Sequence, residues 1–140
     1  MKALAGEETL AFLHRQPNLV LGTIRRDGSP QASPVWYLWT GTSFLVSTIQ
    51  ATAKWANLRR DPRCSVCVDD PDTGRMVVAY GRAALHVGPV EDRTRPLVEK
   101  YYPGDRSAAD AHMRRIFAAD APPRVLVEVV PEQIIARRLD

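Results

Sequence analysis

The stretch SPVWYLWTGTSFLVSTIQATAKWANL, residues 33–58, decides the fold of this chain. Apolar and polar residues alternate on both sides of Gly41-Thr42, which predicts two strands joined by a tight turn. Apolar residues then recur at helical spacing over residues 50–60, so a short amphipathic helix follows the second strand. This order places backbone donors, hydroxyl groups and the Lys54 ammonium beside one sheet surface.

The rest of the chain supplies further strands around this stretch. The predicted strands are residues 19–26, 30–39, 43–48, 63–69, 75–87 and 125–130, and residues 134–139 add another in one interpretation. Asp27-Gly28 is a strong hairpin signal between the first two. Gly81 predicts a bulge or barrel bend in the long strand. Pro34 cannot donate to a sheet ladder, so it marks a sheet edge, a bulge or a place where a ligand approaches.

Helices are predicted between the strands, at residues 7–16, 50–60, 90–101 and 108–119. Strands joined mostly by hairpins argue against a doubly wound parallel sheet. Closure into a barrel removes the exposed strand edges. We therefore expect a mainly β fold with inserted helices, a six-stranded antiparallel barrel forming one domain over residues 1–140.

Composition bounds the class of protein. Hydrophobic residues make up 45% and charged residues 25%, a usual soluble globular mixture. The net charge of +3 sits partly in pairs such as Arg25-Arg26, for which solvated element ends are the first explanation, an anionic ligand the second and nucleic acid the weakest. No apolar run is long enough to span a membrane, and residues 1–4 lack a secretory apolar segment, so a cytoplasmic location is expected.

Conventional catalytic groups are scarce. Cys64 and Cys67 lie on a predicted strand, where residues three apart face opposite sides, so they are not a redox pair or half of a zinc site. His14, His86 and His112 have spacings that suit neither a metal site nor a triad, and structural or surface roles are expected. There are no paired carboxylates, nucleophile elbow or glycine-rich phosphate loop. If the protein is an enzyme, a cofactor carries the reaction.

Lys54 stands out because of its place in the predicted helix. Thr52 is a plausible N-cap, which puts Lys54 in the first turn, where the helix dipole favours acids over bases. A bound anion would explain a cation there, and Ser47-Thr48 would add hydroxyl groups nearby. A solvated lysine costs little, so the two explanations remain open at this point.

The aromatic residues Trp36, Tyr37 and Trp39 also allow two interpretations. They are either barrel-core and interface aromatics or neighbours of a bound ring. Trp36 and Tyr37 face opposite sides of a strand, so at least one is available to a ring or a second subunit.

An ordered set of short motifs resembles a known family. The motifs are Leu21-Gly22-Thr23-Ile24-Arg25, Asp27-Gly28-Ser29-Pro30, Ser33-Pro34-Val35-Trp36, Val46-Ser47-Thr48 and the run from Ala53-Lys54-Trp55 to Asp61-Pro62-Arg63. They resemble the pyridoxamine 5′-phosphate oxidase-like split β-barrel superfamily, the FMN-binding split-barrel type. Within it they are most similar to the flavin/deazaflavin oxidoreductases of actinobacteria that use coenzyme F420. The resemblance is strong over residues 7–88 and looser beyond.

The resemblance implies a homodimer with two cofactor sites at the subunit interface. The residues that match the ring side of the cofactor are Ser33, Pro34, Val35 and Trp36. The residues that match the strand on its phosphate side are Ser47, Thr48 and Ile49, and those that complete the phosphate pocket are Ala53, Lys54 and Asn57. This chain has Thr52 where some relatives carry an arginine two residues before the lysine.

The resemblance also implies a reaction. The Pro34-Val35-Trp36 stretch and the short chain favour F420, with hydride transfer between the deazaflavin and a small unsaturated substrate. The extra basic residues of true pyridoxamine phosphate oxidases have no match here. An FMN-binding oxidase or flavin reductase, and a non-catalytic F420-binding protein, remain as alternatives. No metal, nucleic-acid or membrane partner is expected, and no protein proton donor can be named, so solvent serves.

Overall fold

The computed structural model describes residues 5–139, so residues 1–4, on which part of the expected location rests, lie outside it, as does residue 140. Within that range the chain forms four helices and seven strands. The helices are α1 (Glu7–Arg15), α2 (Ala53–Arg60), α3 (Glu91–Lys100) and α4 (Arg106–Ile116). The strands are β1 (Leu19–Ile24), β2 (Pro30–Val35), β3 (Leu38–Trp39), β4 (Phe44–Ile49), β5 (Arg63–Asp70), β6 (Arg75–His86) and β7 (Arg124–Arg137).

The strands form one curled antiparallel sheet in the order β2-β1-β5-β6-β7-β4-β3. Alternate residues of the strands point into the curl and are buried there with α1 and α2 side chains. This core includes Phe12, Leu21, Phe44, Val46, Trp55, Val66, Val77, Val125, Val127 and Val129. The predicted mainly β split-barrel fold is confirmed.

The predicted strand over residues 30–39 is broken at Trp36 and Tyr37. Its first part, β2, lies at one edge of the sheet and its second part, β3, at the other. The two residues between them can bridge at most about 11 Å from Val35 to Leu38, because consecutive Cα atoms are about 3.8 Å apart. The sheet must therefore curl until its two edges are close. Because the predicted strand divides into β2 and β3, the sheet has seven strands and not the predicted six.

Tyr37 fixes this crossing point. Its side chain is fully buried and its hydroxyl donates to the carbonyl oxygen of Leu13 at 2.7 Å. Its backbone N–H donates to the hydroxyl oxygen of Tyr101 at 2.9 Å. The Lys100 ammonium donates to the carbonyl oxygens of Gln16 at 2.7 Å and Tyr37 at 3.2 Å, and it lies 3.6 Å from the centre of the Tyr37 ring. The ends of α1 and α3 are thus tied to the crossing.

The long strands confirm the predicted bulge and join two predicted strands. The pairing of β6 with β7 shifts register between Tyr80 and Gly81. A Cβ atom on Gly81 would lie 2.1 Å from the carbonyl oxygen of Val130, so only glycine permits this approach. Strand β7 runs through the bulge without a break, so residues 134–139, treated as a separate strand, largely belong to its second half.

The two cysteines face opposite sides of β5, as expected. Cys64 is buried in the core, Cys67 is partly exposed, and both are free thiols. Burial raises the pKa of the Cys64 thiol to about 12, which leaves it inert at neutral pH.

Candidate active site

The N-terminus of α2 lacks the side-chain cap and the acidic residues that usually pair with the free N–H groups of a first helical turn. Thr52 occupies the N-cap position, but its hydroxyl donates to the Ile49 carbonyl oxygen at 3.0 Å and lies 3.1 Å from the Thr48 hydroxyl. The helix has no side-chain cap and no acidic residue in its first turn. An uncapped helix N-terminus presents N–H donors and the positive end of the dipole to an anion.

Lys54 lies in this first turn, as predicted. Its side chain is half-buried, and burial lowers the pKa of its ammonium. Among residues 5–139, the Lys54 ammonium has no hydrogen-bond acceptor and forms no ion pair with a carboxylate. A partly desolvated cation without a partner gains stability from an anion bound beside it. These features fit a phosphate group held by α2.

Asn57 supports the helix from within. Its amide Nδ2 donates to the Thr23 hydroxyl at 3.0 Å, and its Oδ1 accepts from Arg60 at 2.9 Å. Thr23 in turn donates to Gln31 Oε1 at 2.8 Å. This buried chain of hydrogen bonds ties α2 to β1 and β2. It uses both ends of the Asn57 amide inside the protein.

A basic cleft of about 510 Å³ separates α2 from the β1–β2 turn. Its charged lining residues are Arg25, Arg26, Arg60 and Asp27. Asp27 accepts hydrogen bonds from Ser29, which together with Arg25 lowers its pKa. Ala53 and Asn57 line the same cleft, so it opens beside the helix end that carries Lys54.

A second cleft, of about 320 Å³, lies against α3 and α4 and is called the helical cleft below. It brings together the end of β2, the middle of β4, the start of β7 and both helices. Its lining residues are Val35, Trp36, Ser47, Leu97, Val98, His112, Ile116 and Arg124. Three of the residues predicted for the cofactor, Val35, Trp36 and Ser47, therefore share one cavity.

Trp36 forms one wall of the helical cleft. It is 40% exposed, whereas its neighbour Tyr37 is buried, so the two face opposite sides as expected. The Trp36 ring stacks on Tyr101 with centroids 4.1 Å apart and planes 5° apart. His112 lies against it with a centroid distance of 5.4 Å. Local sequence does not indicate that His112 contacts Trp36, because only the tertiary fold brings α4 to this residue.

The other predicted site residues lie around these features. Ser33 points toward the barrel interior, and its Oγ is buried without a hydrogen-bond partner among residues 5–139. Pro34 is exposed on the outer face, where it pairs with Val20. Thr48 is buried, and Ile49 pairs with Arg124. The ten predicted residues thus divide between the helical cleft, the start of α2 and the surrounding sheet, and their part in binding stays a prediction.

The described part of the chain forms neither a metal site nor a catalytic triad. Residues 5–139 contain no group of three or more side chains placed to hold a metal ion. His86 and Ser43 both contact the Glu128 carboxylate, with the acid rather than the histidine in the centre, so they do not form a triad. Over the same range, every helix is too short or too polar to cross a membrane.

Comparison with known proteins now identifies the family. A model of the pyridoxamine 5′-phosphate oxidase family matches residues 5–138. The chain belongs to that family. Its members are commonly oxidoreductases that bind flavin-type cofactors.

Several solved structures share the fold. A conserved hypothetical protein from Mycobacterium tuberculosis is 25% identical with a TM-score of 0.76, over 97% of this chain and 88% of that one. An F420 reductase is 23% identical with a TM-score of 0.69, over 89% and 94% of the two chains. General stress protein 26 from Bacillus anthracis is 17% identical with a TM-score of 0.71, over 96% and 94%. The similarity to the F420 reductase and to general stress protein 26 shows only that they share this fold.

We predict that Asn57→Ala lowers the free energy of unfolding by about 1–3 kcal/mol, because it removes a buried pair of hydrogen bonds. The matched change Arg60→Ala, at the exposed end of the same series of hydrogen bonds, should lower the free energy of unfolding by about 0.5 kcal/mol or less. Urea denaturation of the three proteins measures both values. Unchanged stability of Asn57→Ala would contradict the supporting role.

Proposed function

We propose that this protein is an F420-dependent oxidoreductase that transfers a hydride between the deazaflavin and a small unsaturated substrate. The observation that carries the proposal is the half-buried, unpartnered Lys54 at the uncapped start of α2. An anion-binding helix end that opens on a basic cleft suits a phosphorylated cofactor with a further acidic group. The similarity to an F420 reductase supports the choice of cofactor.

The basic cleft favours F420 over FMN. Both cofactors carry a phosphate that Lys54 and the α2 N–H groups would hold. F420 also carries an acidic tail, which Arg25, Arg26 and Arg60 would accommodate next to Ala53. An FMN-dependent oxidase or flavin reductase would use the same phosphate site, but FMN has no acidic tail for these arginines to bind.

In this proposal the protein orients the reactants and excludes water from them. The bound deazaflavin supplies the hydride. Val35 and Trp36 shield the ring side, and the Trp36 stack on Tyr101 holds that wall in place. Solvent remains the proposed proton source. A non-catalytic F420-binding protein would bind equally well but transfer no hydride to any acceptor.

We predict that Lys54→Ala weakens F420 binding by at least about tenfold, because it removes the cation that faces the phosphate. Arg59→Ala, an exposed cation on the same helix, is the matched control and should leave affinity unchanged. Fluorescence titration of the deazaflavin measures both. Equal affinity of Lys54→Ala and the wild type would place the phosphate elsewhere.

The pH dependence offers an independent check. Burial lowers the pKa of Lys54 from the ordinary 10.5, so the ammonium loses its proton at a lower pH than a solvated lysine. F420 affinity of the wild type should therefore fall as the pH rises through this lowered value. Lys54→Arg should keep its affinity over the same range, since a guanidinium stays charged. Parallel losses in both proteins would argue against Lys54 as the ligand.

We also propose that two copies of the chain pair through the outer face of the sheet. Val20, Cys67, Val78 and Ile135 lie in one row across four strands, with Tyr80 beside them. Val20, Tyr80 and Ile135 are 41%, 50% and 49% exposed. A row of large exposed apolar side chains on a sheet is typical of an interface between subunits.

We predict that Ile135→Glu converts the dimer into a monomer, because it buries a charge at the β7 end of this row. Val87→Glu is the matched control, since Val87 is exposed at the end of β6, away from the row. Sedimentation velocity gives the mass of each species. A monomeric wild type, or an Ile135→Glu variant that stays dimeric, would contradict this interface.

A further inference from the structure

Arg124 is a half-buried cation in the helical cleft. Its Nε and Nη2 donate to the Ser47 hydroxyl at 3.2 and 2.9 Å. Among residues 5–139 it has no carboxylate partner and no acceptor for Nη1. A guanidinium has five N–H donors in a rigid fork, so Ser47 holds the group in place and leaves donors for a ligand.

This cation lies on a different face of the sheet from the start of α2. Val125 pairs with Thr48, and both point into the barrel core. Arg124 pairs with Ile49 on the other face, which it shares with Ser47 because strand residues two apart face the same side. Thr48 meets Thr52 at the α2 N-cap, whereas Ser47 meets Arg124 in the helical cleft. The two cationic positions are therefore separate sites.

The rest of the helical cleft determines what kind of anion fits. Leu97, Val98 and Ile116 supply an apolar wall opposite Trp36 and its stacked partner His112. Burial lowers the pKa of His112, and the nearby Arg115 and Arg124 lower it further, so the imidazole is neutral at neutral pH. Arg124 is the one arginine or lysine among the described residues that line this cleft, whereas Arg115 contacts His112 from outside that lining. The single charge of Arg124 balances one negative charge, as a carboxylate carries, more closely than a phosphate dianion.

From this geometry we infer that the helical cleft binds a small, flat, unsaturated carboxylic acid, with Arg124 as the carboxylate ligand and Trp36 against its apolar body. Resting on the proposed function, this names the substrate class: conjugated acids whose carboxylate is held by Arg124. Ser47 is the positioning residue, because it acts through the guanidinium.

The test compares two probes of the same shape, trans-cinnamate and the neutral trans-cinnamamide. Isothermal titration of the full chain, first without F420 and then with it, gives the acid-to-amide preference independently of any turnover. We expect the wild type to prefer cinnamate by about tenfold or more, the range of a charge-assisted pair. Arg124→Gln should bring the preference within about twofold by weakening only cinnamate. Arg114→Gln, an exposed cation on α4, should keep it.

A second variant and a competing anion complete the experiment. Ser47→Ala keeps the charge but frees the guanidinium, so an intermediate preference is expected. Inorganic phosphate should displace cinnamate no better than acetate does. Displacement at lower concentration by phosphate, equal binding of acid and amide by the wild type, or a preference that survives Arg124→Gln would each overturn the inference. F420 that fails to bind while the preference holds would overturn only the proposed cofactor.

Discussion

The short crossing between β2 and β3 is the constraint on which the rest of the structure depends. Two residues must connect opposite edges of a seven-stranded sheet, so the sheet cannot lie flat. Tyr37 points inward and is held by hydrogen bonds from two sides, while Trp36 points outward. The crossing therefore closes the barrel and also places the Trp36 ring where the two edges of the sheet meet.

The two faces of β4 line different candidate sites. Thr48 faces the interior and the start of α2, where Lys54 has no partner among residues 5–139. Ser47 faces α3 and α4, where it holds Arg124 beside Trp36. Strand β4 thus separates the proposed cofactor-phosphate site from the proposed substrate site.

Much of the fold follows from local sequence. The Asp27-Gly28 turn, the Gly81 bulge and the position of Lys54 in a first helical turn all depend on a few adjacent residues, and each was predicted. The break at Trp36 was not, because residues 30–39 are apolar enough to continue as one strand, and only the tertiary closure divides them.

The candidate site was predictable only in part, for the same reason. Lys54 has a local anomaly, a cation where a helix favours acids, that sequence can show. Arg124 and His112 look ordinary in sequence, since one begins an apolar strand and the other lies on an amphipathic helix. Their importance comes from being brought to Trp36 by α4 and β7, which neither spacing nor composition encodes.

Parallel titrations of the purified protein with F420 and FMN decide whether the proposed cofactor is F420. Fluorescence of each cofactor at fixed salt gives the two dissociation constants. We expect F420 to bind at least about tenfold more tightly than FMN, because only the acidic tail of F420 reaches the basic cleft. Tighter binding of FMN, or protein that is purified with bound flavin, would contradict it.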